Sequence, residues 1–173
     1  DMVEQERADS LYIMTTPDTD AAGDVMAIGD VTDFLDGMYD SNYSCTYWPW
    51  VQINDSENNV FIYVPPTRDV VRNIALTDNI AFPWFAVAGI QRGDVDAIKA
   101  RVKLTLSDRD ELYENRINPI ATFTSDGIKI WGNKTLQVKD TALNRINVRR
   151  LLLQARKLIS AVSIRLLFEQ NDT

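Results

Sequence analysis

Between Asn144 and Phe168, apolar residues recur at helical spacing: Val148, Leu151, Leu152, Ala155, Leu158, Ile159, Val162 and Leu166 step by three and four along one face. Such a stripe predicts a long amphipathic helix with that face buried. Upstream the pattern changes repeatedly. Leu11 to Met14 is a short apolar run that leaves through Thr15, Thr16, Pro17 and Asp18, and it reads as a buried strand. A helix capped by Asp24 or Asp30 is expected to run to Met38, where Gly37 and the polar Asp40, Ser41 and Asn42 stop it. Tyr43 to Ile53 reads as one aromatic-rich strand and Val60 to Val64 as another, joined through the polar turn Asn54 to Asn59 into a hairpin. Pro65 and Pro66 preset a helix from Thr67 to about Asn79.

Ala81 to Gly89, with Pro83, Trp84 and Phe85, has no period and reads as an irregular apolar segment. Ile98 to Leu106 alternates apolar with polar residues, the mark of a half-exposed strand. Ser107 is expected to cap a helix ending near Asn115, with Asp108 and Asp110 in its first turn. Ile117 to Phe123 and Gly127 to Gly132 predict two strands joined by the tight polar turn Thr124, Ser125, Asp126. Strands and helices alternate at first and hairpins follow. The expected fold class is therefore α/β in the α+β sense: a mixed sheet covered by helices, closed by the long C-terminal amphipathic helix. A chain of 173 residues, 45% hydrophobic, suits a single domain over 1–173 whose core needs neither metal nor disulfide.

Charge sharpens this picture. Six bases and no acid share the last helical segment: Arg145, Arg149, Arg150, Arg156, Lys157 and Arg165. Residues 1–60 carry thirteen acids against the single base Arg7, although the whole chain is only −7. With no Glu placed for i to i+4 pairing, the basic helix calls for an acidic surface elsewhere, which the first sixty residues supply either within the chain or from a second copy of it. These six bases are therefore candidate subunit-interface residues. Charge reversal at Arg149 and Arg150 is expected to block assembly while leaving the domain folded. Trp48 and Trp50 join them as candidates, because alternation along a strand buries only one of the two. Nucleic acid is a poor partner for a chain whose first third would repel phosphate.

The absence of histidine excludes His-based triads, imidazole acid–base catalysis and His-ligated metals. The lone Cys45, among Tyr43, Tyr47 and Trp48, reads as a small buried hydrophobe. Asp18, Asp20 and Gly23 form a partial calcium loop, but Ala22 and Gly29 stand where oxygen ligands belong. Asp108, Asp110, Glu111 and Glu114 are explained by the dipole of the helix they open. No glycine-rich phosphate loop is present, and no apolar run approaches the roughly 20 residues of a membrane span. No catalytic, cofactor or metal residue is expected, and the chain is read as no enzyme. The rival reading is a small soluble α/β enzyme or ligand-binding domain using the Asp18 and Asp20 loop.

Several short segments occur in a telling order: Tyr47, Trp48, Pro49, Trp50; Val64, Pro65, Pro66 before a helix; Ala75 with Thr77 and Asp78; then Ile117, Asn118, Pro119, Ile120. Gly127, Ile128, Lys129, Ile130, Trp131, Gly132, Asn133, Lys134, Thr135, Leu136 follows. Ile146, Asn147, Val148, Arg149, Arg150, Leu151 and the terminal Phe168, Glu169, Gln170, Asn171, Asp172 complete the set. Together, over Leu11 to Asp172, they resemble the contractile tail sheath proteins of bacteriophages and related injection machines, with their GIRVWGARTL, INVRRL and FEPND segments. Two departures are Gln170 where the family has Pro, and Asn133, Lys134 where it has Ala, Arg.

The resemblance implies a structural subunit that polymerises helically around an inner tail tube and contracts to drive that tube through the host envelope during genome ejection. Its implied partners are copies of itself, the tail tube protein and the baseplate, with no direct nucleic acid contact and no membrane insertion. It implies assembly in the host cytoplasm and residence in the virion. In the family, terminal arms exchange strands between neighbours. The chain is accordingly expected to be a fragment of the sheath core domain lacking those arms, and a monomer at moderate salt.

Overall fold

In the computed structural model, which describes residues 2–37 and 40–167, the central strand is β2 (Ser44–Trp48), buried at all five positions. A strand covered on both faces needs strands beside it and helices above and below. β1 (Tyr12–Thr15) runs parallel to it, with Tyr12 opposite Ser44, and β6 (Ile117–Phe123) runs parallel on the other side, with Thr46 opposite Ile117. β7 (Gly127–Ile130) folds back antiparallel on β6, giving the order β1-β2-β6-β7. The mixed sheet read from the sequence is present.

Strand alternation sorts the core into two clusters. Met14, Trp48 and Ile117 pack with Val31 and Leu35 of α1 (Ile28–Leu35) and Leu112 of α3 (Leu106–Glu114). Cys45, Tyr47 and Ile120, of opposite parity, pack with Val70 of α2 (Thr67–Ile80) and Ile146 of α4 (Ile146–Ser163). Each fully buried aliphatic side chain here contributes roughly 1.5–3 kcal/mol. The sheet thus lies between a pair of helices on each face.

A second, antiparallel sheet has the order β4-β3-β5, built from β3 (Val51–Asp55), β4 (Val60–Val64) and the short β5 (Lys99–Ala100). The β3–β4 hairpin, with Asp55 opposite Val60, matches the sequence expectation. Two expectations need correction. Tyr43 to Ile53 is not one strand: Pro49, which has no N–H to give a ladder, ends β2, and Val51 starts afresh in the other sheet. Ile98 to Leu106 is strand only at Lys99–Ala100. The alternation it shows is real, since Leu104 is buried while Lys103 and Thr105 are exposed, but past Ala100 the segment leaves its pairing with β3.

Helix caps also shift. Thr105, not Ser107, caps α3: its hydroxyl accepts from Asp108 N at 3.3 Å while Thr105 N donates to Asp108 Oδ2 at 2.8 Å. In α1 the cap position is Ala27, whose N–H donates to Asp30 Oδ2 at 2.9 Å, so Asp30 serves from inside the first turn. That helix ends at Leu35 with Asp36 at its C-cap, short of the expected Met38, which lies outside the described residues, as do Phe168 to Asp172.

One buried amide ties the sheet to the segment that follows it. Asn118, fully buried on β6, donates from Nδ2 to Thr46 O at 2.9 Å and to Lys134 O at 2.8 Å. Its Oδ1 accepts from Lys134 N at 2.7 Å. Gly132 lies so close that an added Cβ would come within 2.7 Å of Asn118 Cα, which only glycine avoids. Two of the segments singled out in the sequence are therefore halves of one contact, and that contact fixes where Lys134 stands.

Candidate assembly interface

The buried side of α4 is Ile146, Arg149, Arg150 and Leu153, all in its first half. From Arg156 to Leu167 every residue is exposed. The apolar stripe expected to be buried is therefore open: Leu158 is 57% exposed, Ile159 65%, Val162 58% and Leu166 64%. The helix is long enough to run past the sheet that covers its start, and nothing among the described residues covers the rest. Arg156, Lys157 and Arg165, all exposed, rim this apolar row.

The six bases divide. Arg149 and Arg150, expected on a free basic face, belong to the interior, at 7% and 9% exposure. Arg150 Nη2 pairs with Asp78 Oδ1 of α2, joining the Thr77, Asp78 segment to the Arg149, Arg150 segment. Arg149 lies over the Tyr43 ring at 4.0 Å and donates to Asn42 Oδ1. Reversing these charges would place carboxylates in the core, so the expectation of a folded, assembly-blocked variant is corrected to one of a destabilised chain. Arg145, exposed at the start of α4, donates to the Tyr113 hydroxyl. Arg156 donates to Ala8 O at 2.8 Å, while Lys157 and Arg165 stand exposed without an ion pair among the described residues.

The tryptophans divide too. Trp48 is core, at 1% exposure. Trp50 is half-buried and donates from Nε1 to Thr16 O at 2.9 Å, tying the end of β1 to the second sheet. The exposed aromatic stack is elsewhere: Phe82 lies 4.7 Å from Trp84 and 6.1 Å from Phe85, and Arg92 covers the Phe85 ring at 4.7 Å. Three aromatics around Pro83 were its signal in the sequence.

Arg145 also borders a pocket of about 430 Å³, lined by Glu114, Arg116, Lys134, Gln137, Val138, Asp140, Asn144 and Arg145. Tyr113, at the end of α3, organises its cations. Lys134 Nζ donates to Tyr113 O at 2.9 Å and sits 4.3 Å from the ring, while Arg145 is 5.8 Å from the same ring. Arg116 donates to Leu136 O at 3.3 Å from a left-handed backbone, φ 67°. Burial, and then the charge of Arg145, push the Lys134 ammonium below its ordinary range. Sequence reasoning missed Arg116 and Lys134, because only the fold brings residue 116 beside residues 134 and 145.

The acidic loop offered as an alternative site is spent on its own structure. Asp18 pairs with Arg101 at 3.2 Å; burial pushes its carboxyl up, and the Arg101 charge opposes that. Asp20 Oδ1 accepts from Ala22 N and Asp24 N, both at 2.9 Å, which shapes the turn and leaves that oxygen occupied. Among the described residues no three His, Cys, Asp or Glu side chains are grouped to hold a metal, and no helix is long and apolar enough to cross a membrane. Cys45 is fully buried, and burial pushes its thiol up to about 12, far from a reactive thiolate.

This fold is the one seen in contractile sheaths. The chain superimposes on the sheath complex of an extracellular contractile injection system, PVC, in its contracted state, with a TM-score of 0.79 at 21% identity, covering 96% of this chain and 44% of that one. The helical sheath of the anti-feeding prophage, also contracted, gives 0.74 at 21% identity, covering 99% of this chain and 43% of that one. No protein-family model matches the chain. In sequence it is 36% identical over 136 residues to the tail sheath protein of Vibrio phage KVP40, and 35% identical over 119 residues to that of Enterobacteria phage T4. Those alignments take in 78% and 68% of this chain but only 19% and 18% of the relatives' lengths. Over these residues the chain belongs to the tail sheath protein family.

Proposed function

We propose that residues 1–173 are one core unit of a contractile tail sheath subunit, a structural protein that polymerises helically around an inner tail tube and shortens to drive it through a cell envelope. In this reading the subunit resides in the virion, is put together in the host cytoplasm, meets the tail tube and the baseplate, and performs no bond-making chemistry. The observation that carries the reading is the open apolar face of α4 from Leu158 to Leu166, which a free-standing enzyme domain would have no reason to expose. A helical tube needs head-to-tail contacts in which one face meets a different one, and contraction needs two packings of the same rigid body. Arg156, Lys157 and Arg165 beside the open stripe, and exposed acids such as Asp33 and Asp36, supply groups of opposite sign for such contacts.

The test is electron microscopy of the full-length polypeptide that contains this chain. The expected result is hollow tubes with helical order. A monodisperse protein that forms none at any concentration or salt, even with its tail tube protein present, overturns the reading.

A further inference from the structure

We propose that the pocket between the end of α3 and the start of α4 seats a carboxylate side chain from α1 of a second copy of this chain. The inference rests on the assembly reading and specifies one contact within it.

Three cations, Arg116, Lys134 and Arg145, line one pocket of about 430 Å³ against two acids, Glu114 and Asp140. None of the three makes an ion pair among the described residues. Each is held by a neutral acceptor instead: Tyr113 O for Lys134, Leu136 O for Arg116, the Tyr113 hydroxyl for Arg145. An ammonium has three donors and a guanidinium five, so most of their hydrogen-bonding capacity is unspent while their positions are already set. That is the preorganisation an incoming carboxylate needs. Asp140 Oδ1 accepts from the Asn144 amide, and the three cations outnumber the two acids of the lining by one. Burial first, and then the charge of Arg145, push the Lys134 ammonium down, with Asp140 and Glu114 opposing them.

The same molecule carries acids in the complementary condition. Asp33 and Asp36 at the end of α1 are exposed and have no side-chain partner among the described residues. Asp30 and Asp20, by contrast, are committed to local backbone N–H groups. Neither acid pairs with the pocket cations within the chain, so a copy related by rotation and translation is the occupant that satisfies both sets.

The experiment measures anisotropy of a fluorescein-labelled peptide with the sequence Ile28–Gly37, titrated with the 173-residue chain at low ionic strength. Saturable binding is expected, weakened by at least about tenfold in the Lys134→Gln/Arg145→Gln variant and by as much when the peptide carries Asp33→Asn and Asp36→Asn. Melting by circular dichroism checks that the variant folds; if the double substitution fails, Arg145→Gln alone, at an exposed position, carries the test. No binding, equal binding to the variant, or equal binding of the Asn peptide overturns the proposal, as does a pocket that takes inorganic phosphate in preference to the peptide. Tubes of normal yield from full-length protein carrying both substitutions would sink this contact while leaving the assembly reading standing.

Discussion

Arg150 shows how one side chain changes meaning between sequence and structure. On a helical wheel it is one of six bases on a face with no acid; in the fold its guanidinium is 9% exposed and bonded to Asp78 across the α2–α4 contact. Removing one partner of such a pair leaves a charge without its counter-charge, which costs several kcal/mol when both are buried. Asp78 is 38% exposed, so water softens the loss. Asp78→Ala is expected to destabilise the chain by about 2 kcal/mol, read from urea unfolding at constant m-value. Asp78→Leu combined with Arg150→Met removes both charges and is expected to lose less than Asp78→Ala alone. Equal losses would mean that the pair does not couple the two helices.

At the scale of elements, legibility followed local chemistry. The hairpin of β3 and β4, the helix after Pro65 and Pro66, and the strand Ile117–Phe123 were readable because turn residues and period sit within a few positions of one another. The split of Tyr43–Ile53 between two sheets was not readable, because alternation continues through Pro49 and says nothing about which neighbour a strand finds. The apolar stripe of α4 was seen correctly as a stripe, but periodicity reports that a face is apolar and not what covers it. The same limit hid the pocket: Arg116, Lys134 and Arg145 share no period, and Asn118 and Gly132 bring them together. The open stripe gives a contrast within one helix. Ile159→Glu with Val162→Glu is expected to leave the thermal midpoint of the isolated chain nearly unchanged, since exposed substitutions stay within about 0.5 kcal/mol. Ile146→Ala, 3% exposed at the other end of α4, is expected to cost about 2–4 kcal/mol. A large loss from the double Glu variant would show that the stripe is covered within the chain after all.

For the molecule as a whole, two surfaces of different physics are available for contacts between copies. The charge-based contact, with Arg116, Lys134 and Arg145 facing acids of another copy, weakens with salt, because the screening length falls from about 10 Å at 0.1 M to about 3 Å at 1 M. The apolar contact along Leu158, Ile159, Val162 and Leu166 does not, and strongly hydrated anions such as sulfate strengthen it. Association of the isolated chain should therefore respond to salt in two separable ways. In place of the monomer expected from the sequence, sedimentation velocity at fixed protein concentration is expected to show dimers or larger species that decline in sodium chloride only as far as the apolar contact allows, and that grow in sodium sulfate. Ile159→Glu with Val162→Glu is expected to abolish the sulfate-driven part and leave the chloride-sensitive part. Lys134→Gln with Arg145→Gln is expected to do the reverse. If one variant removed both responses, the two surfaces would form a single contact, and the separation of an electrostatic face from a hydrophobic one, on which a subunit with two packings depends, would not hold for this chain.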